Sequence, residues 1–95
     1  MSKPDIQYFD SDGTWTKPPR AVRVDVVLQA AGGGGAVYFE PRGTGAGIHG
    51  EDGEITVQSF AAAGLPPSMD VTIGKGGRPG GRDGYALIVT HLHDE

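Results

Sequence analysis

Residues 9–31 read FDSDGTWTKPPRAVRVDVVLQAA, and this stretch decides the fold. From Val22 to Gln29, Val22, Val24, Val26 and Leu28 alternate with Arg23, Asp25, Val27 and Gln29. Successive side chains of a strand point to opposite faces, so the pattern predicts a β-strand over Ala21–Ala31 with one apolar and one mostly polar face. Upstream, Asp10-Ser11-Asp12-Gly13 has the composition of a turn, because Asp and Ser bond the local backbone and Gly accepts a positive φ. Thr14-Trp15-Thr16 then makes a short strand with Trp15 on the face opposite the threonines. Pro18 and Pro19 end it, since neither can donate to a ladder. The long strand runs out into Gly32-Gly33-Gly34-Gly35.

Working outward, Ile6–Phe9 reads as a first strand or part of an N-terminal arm over residues 1–8. Val37-Tyr38-Phe39 reads as a short strand or an apolar anchor within the irregular region Gly32–Gly53. Further strands are expected over Glu54–Phe60, Ser68–Gly74 and Tyr85–Leu92. Ala61–Pro67 has the length of one helical turn, closed by Gly64 and Pro66, too short to stand alone. In the last strand, Tyr85, Leu87 and Val89 lie on one face, and Ala86, Ile88 and Leu92 on the other. Apolar residues on both faces suit a central strand or one packed on a second subunit. The reading is all-β: a small antiparallel sandwich, jelly-roll-like, with glycine-rich loops, forming one domain over residues 1–95. Its expected core is Val22, Val24, Val26, Leu28, Ile55, Val57, Val71, Ile73, Leu87 and Val89.

Glycine accounts for 17 of 95 residues, clustered between Gly32 and Gly53 and between Gly74 and Gly84. The clusters lack a three-residue period, which excludes collagen. The chain has no cysteine and hence no disulfide or thiolate chemistry. A net charge of −4 argues against a general nucleic-acid or anionic-membrane binder. No apolar run reaches the roughly 20 residues of a membrane-spanning helix, and MSKPDIQYF lacks the apolar core of a signal peptide. A soluble protein without membrane insertion, not exported by an ordinary signal, is expected.

Catalytic signatures are weak. His91 and His93 would share a strand face, but two imidazoles without a fixed third ligand are more often exposed tail residues than a metal site. Gly74-Lys75-Gly76-Gly77 lacks the upstream glycine and following Ser or Thr of a phosphate loop. Arg78-Pro79-Gly80-Gly81-Arg82 is a single arginine-glycine copy without interleaved aromatics, better read as a turn. Asp10, Asp12, Glu51, Asp52 and Glu54 sit in turn-like sequence, where carboxylates are usually solvated. The start at Asp10 does not continue into a calcium loop. No Ser-His-Asp arrangement emerges, so no catalytic residue, metal or cofactor is expected.

The run GTWTKPPRAVRVDVVLQAAGGGG, preceded by Phe9, resembles the start of the glycine-rich domain of bacteriophage minor tail proteins, especially of phages infecting actinobacteria. Phe60-Ala61-Ala62-Ala63-Gly64-Leu65-Pro66, Val71-Thr72-Ile73-Gly74-Lys75-Gly76-Gly77 and Asp83-Gly84-Tyr85-Ala86-Leu87-Ile88-Val89-Thr90 are similar to its second half and close. The loops here are shorter, with VYFEPR and IHGEDGE in place of glycine. The resemblance implies a structural virion protein: a minor tail protein of the tail tip or fibres with a role in host attachment, or alternatively a capsid decoration protein. It implies contacts with tail or capsid subunits, a homo-oligomer (a trimer by analogy with symmetric fibres) and host-surface carbohydrate as a further partner. The residues expected at such contacts are Tyr38, Phe39 and Arg42 in the loop region, with burial of Tyr38 and Phe39 under the loop as the alternative, together with Ile88 and Leu92 on the second face of the last strand, and Val27.

Overall fold

Val24, Val26 and Leu28 are fully buried in a computed structural model of the chain, which describes residues 3–31, 36–41, 47–50, 53–74 and 84–93. Their strand, β3 (Ala21–Gln29), follows β1 (Asp5–Phe9) and β2 (Gly13–Thr16). It is followed by β4 (Val37–Glu40), β5 (Ile48–Gly50), β6 (Ile55–Ala61), a 3₁₀ turn η1 (Ala62–Gly64), β7 (Ser68–Ile73) and β8 (Tyr85–Leu92).

Two four-stranded sheets result, with orders β1-β8-β3-β6 (sheet A) and β2-β7-β4-β5 (sheet B). Every pairing is antiparallel. Strands pair first with last, second with seventh, third with sixth and fourth with fifth. This nesting is one long hairpin rolled up on itself, the jelly-roll arrangement, and the expected all-β sandwich is the observed fold. The turn expected over Ala61–Pro67 is η1, and β8 is central, between β1 and β3.

The core lies between the sheets. Val24, Val26, Leu28, Ala86 and Ile88 from sheet A meet Trp15, Val37, Phe39, Met69, Val71 and Ile73 from sheet B. Trp15 is fully buried while Thr14 and Thr16 are exposed, as their alternation requires. Its ring meets Phe39 edge-on at 5.6 Å, and Phe39 lies 6.4 Å from Phe60.

Three expected facings are corrected. Ile55 and Val57 are 60% and 64% exposed, because β6 is an edge strand and they point away from sheet B. In β8 the inward set is Ala86, Ile88 and Thr90, and Leu87 and Val89 lie half-buried on the outer face. Val22 is 52% exposed; it sits at a register shift between Ala21 and Arg23, where the β3–β8 ladder is broken by a bulge.

Six of the seven connections between successive strands pass from one sheet to the other, and two of these crossings are bonded together. The β2–β3 crossing contains Pro18-Pro19 and the β6–β7 crossing contains Pro66-Pro67. The Lys17 N–H donates to the Pro67 carbonyl at 2.8 Å. Its ammonium group donates to the carbonyls of Ala62 at 3.0 Å and Leu65 at 2.8 Å. Two buried side-chain donors, Trp15 Nε1 and Thr90 Oγ1, have no hydrogen-bond partner among the described residues.

Hydrogen bonds involving a charged partner contribute about 1.5–3 kcal/mol. Lys17→Met keeps the stem's packing and removes both ammonium bonds, so a loss of about 2 kcal/mol is expected in urea unfolding. Thr90→Val acts in the opposite direction. It removes a buried hydroxyl that has no partner among the described residues, at little change in volume, and a gain of about 1 kcal/mol is expected in the same assay.

Candidate interaction surfaces

The alternation that buries one face of each sheet leaves two outer faces, and they differ in chemistry. On sheet A, strand register aligns Tyr8, Leu87, Val27 and Val57 in one row across all four strands. Ile6, Val89, Asp25 and Ser59 form the next row, and Tyr85, Gln29 and Ile55 the row on the other side. The Tyr8 and Tyr85 rings stack at 5.6 Å. Ile6 is 62% and Tyr8 58% exposed. An apolar stripe therefore spans the full width of this sheet. Few exposed patches on a soluble monomer are this contiguous without a partner.

One end of that face is polar. Asp25 accepts from the Ser59 hydroxyl at 2.7 Å and lies 2.8 Å from His91 Nε2. Arg23 Nε stands 3.2 Å from the same carboxylate. The Ser59 and His91 hydrogen bonds, with the Arg23 charge beside them, hold the Asp25 carboxyl below the ordinary carboxylate range. Ser, His and Asp are present, but in the wrong order for nucleophile activation. The carboxylate stands between hydroxyl and imidazole, so Ser59 gives its hydrogen bond to Asp25 and not to a base that could remove the proton.

The outer face of sheet B is hydrophilic. Thr14, Asp70 and Glu40 lie in one row, and Thr72, Tyr38 and His49 in the next. Tyr38, 37% exposed, stacks on the His49 ring at 5.5 Å. A flat aromatic pair with neighbouring hydroxyl and carboxylate groups has the chemistry of a sugar-stacking platform. Asp12, from the turn before β2, accepts from the Ile73 amide at 2.8 Å and so caps a strand. Among the described residues no group of three or more His, Asp or Glu side chains could hold a metal ion. Among them, too, no helix is long and apolar enough to cross a membrane.

Of the expected contact residues, Tyr38 is at the surface and Leu92 is half-buried at the end of β8. Phe39 and Ile88 are corrected. Both are fully buried, because each points between the sheets, so neither can meet a partner in this fold. Arg42 lies outside the described residues. The outer face instead belongs to Tyr8, Val27, Val57, Leu87 and Val89. The apolar content of both faces of Tyr85–Leu92 was the signal for it, with the two faces assigned the wrong way round. Comparison with protein-family models, with curated proteins and with solved structures finds no match.

The Asp25 network generates a pH dependence of known sign. A lowered folded-state pKa stabilises the fold fully above the unfolded-state value, about 3.9, and the contribution is lost as pH falls through the folded-state value. Asp25→Asn is expected to cost about 1 kcal/mol or less at pH 6, since the network is solvent-accessible. The difference from the parent chain should vanish in strong acid, as read from urea midpoints between pH 6 and pH 2.

Proposed function

We propose that this chain is a structural protein of a tailed bacteriophage particle that works by binding. It is a minor tail protein of the tail tip or fibres with a part in host attachment. One observation carries the reading beyond motif similarity. The segments that resemble the phage glycine-rich domain, Gly13–Pro18 and Phe60–Pro66, are distant in sequence, yet Lys17 of the first bonds Ala62 and Leu65 of the second. Residues that look like family features are thus used together, as the joint between two crossings of the sandwich. A binding role also suits the two extended outer faces. The apolar face of sheet A fits other virion subunits or further copies of the chain, and the Tyr38–His49 pair fits host-surface carbohydrate.

The broad apolar face of sheet A also favours a second reading, a decoration protein on the capsid lattice, where such a face would be covered. A gold-labelled antibody against the folded protein, applied to intact particles, separates the two. Label at the tail tip or fibres is expected. Label over the capsid would replace the tail reading with decoration. Absence of both label and the chain's peptides from purified particles would overturn both.

A further inference from the structure

The four strand edges of the sandwich are unequal. In sheet B, β5 is three residues long, and β2 is four residues long and runs into Lys17-Pro18-Pro19. In sheet A, β1 is preceded by Pro4 and carries Asp5. Short length, proline and charge are the usual devices that keep an edge from pairing with another chain. The fourth edge, β6, has none of them. Its sequence is Ile55-Thr56-Val57-Gln58-Ser59-Phe60-Ala61: seven residues without charge or proline, rich in β-branched and aromatic side chains. Among the described strands it pairs with β3 alone, and five of its seven residues are exposed.

We infer that β6 is a self-pairing edge, which joins two copies of the chain antiparallel across a two-fold axis. Three features favour a second copy over an unrelated strand. First, residues directly opposite each other in an antiparallel ladder point to the same side of the sheet. A symmetric pair must then be centred on a residue, and Gln58 gives full overlap. Second, that register sets Ile55 against Ala61 of the second copy, Thr56 against Phe60, Val57 against Ser59 and Gln58 against itself. No charges oppose, and the outer-face rows of the two sheets run into one another. Third, β6 carries no charged side chain, and Glu54, immediately before it, falls outside the seven-residue overlap. Glu40 and Asp70 are on sheet B, and the charged residues of β3 on the outer face, Arg23 and Asp25, form an ion pair. The contact is isologous and closes at two copies. It gives an even-numbered assembly, where the resemblance to fibre proteins suggests three. The inference stands on the edge itself and does not depend on the virion reading.

Light scattering on the purified full chain at about 100 µM, where a micromolar contact is populated, is expected to give twice the 9.9 kDa chain mass. Gln58→Lys and Gln58→Glu each place like charges across the axis and should weaken association at least about tenfold. An equimolar mixture of the two should restore the pair. Gln58 is exposed, and circular dichroism checks that each variant keeps its β structure. The chain has no cysteine, so Gln58→Cys offers an independent reading: mild oxidation should link two copies, while Thr14→Cys on the sheet B face should not. A mass of one or three copies for the parent chain would overturn the inference. So would a dimer indifferent to charge at position 58, or equal cross-linking at positions 14 and 58.

Discussion

A jelly roll depends on how its chain crosses between sheets, and here Lys17 fixes the two crossings that matter most. Its neighbours set the problem. Trp15 must lie in the core, and two residues later the chain must leave sheet B, round a corner stiffened by Pro18-Pro19, and begin β3 in sheet A. A proline pair restricts the corner but supplies no donor. On the opposite crossing, η1 ends with carbonyls pointing out of its single turn, and Pro66-Pro67 again supplies no donor. The Lys17 amide and ammonium meet both needs through the carbonyls of Ala62, Leu65 and Pro67. Lysine suits this place better than arginine: a compact ammonium on a flexible stem can reach carbonyls that converge from different directions, which a planar fork does not match.

Once the crossings are fixed, close backbone approach does the rest. Gly84 precedes β8 where a Cβ would stand 2.6 Å from the Gln29 carbonyl oxygen. Any side chain there would push β8 away from β3, the pair on which sheet A is built. Gln29 in turn donates to the Gly53 carbonyl at 2.9 Å, which ties the end of β3 to the approach to β6. The glycine clusters thus include at least one position set by packing, in addition to any role in contacting a partner.

The sequence made some of this legible and hid the rest for physical reasons. The alternation in β3 is strict because one face is core and the other carries Arg23 and Asp25, so the strand and most of its facing could be read directly. The strands β6 and β8 could not be oriented in that way. Ile55 and Val57 are apolar and exposed, while Leu87 and Val89 are apolar on the side away from the core. When both faces are apolar, alternation loses its sign, and only strand pairing supplies it. The strand β5 was invisible for another reason: three residues ending in glycine, Ile48-His49-Gly50, carry no periodic signal and exist as a strand only because β4 pairs with them. Phe39 and Tyr38 show the same limit on a smaller scale. Adjacent aromatics must face opposite ways on a strand, and the sequence does not say which one the core takes.

The difference between the outer faces bears on the β6 contact and the virion reading together. A two-fold axis perpendicular to the sheet keeps both copies' outer faces on one side. Pairing through β6 would then merge two stripes of Tyr8, Leu87, Val27 and Val57 into one apolar surface, with both sheet B faces and their Glu40 and Asp70 carboxylates on the opposite side. Edge pairing saturates backbone groups but covers little of that stripe, because the face stands perpendicular to the contact. The paired molecule would be a slab with an apolar side and an acidic side. Burial of apolar area contributes about 25 cal/mol per Å², so a doubled stripe gains twice as much from a single covering surface. The edge and the face are therefore successive requirements: the first makes the pair, and the second gives the pair a side on which to attach to a larger assembly.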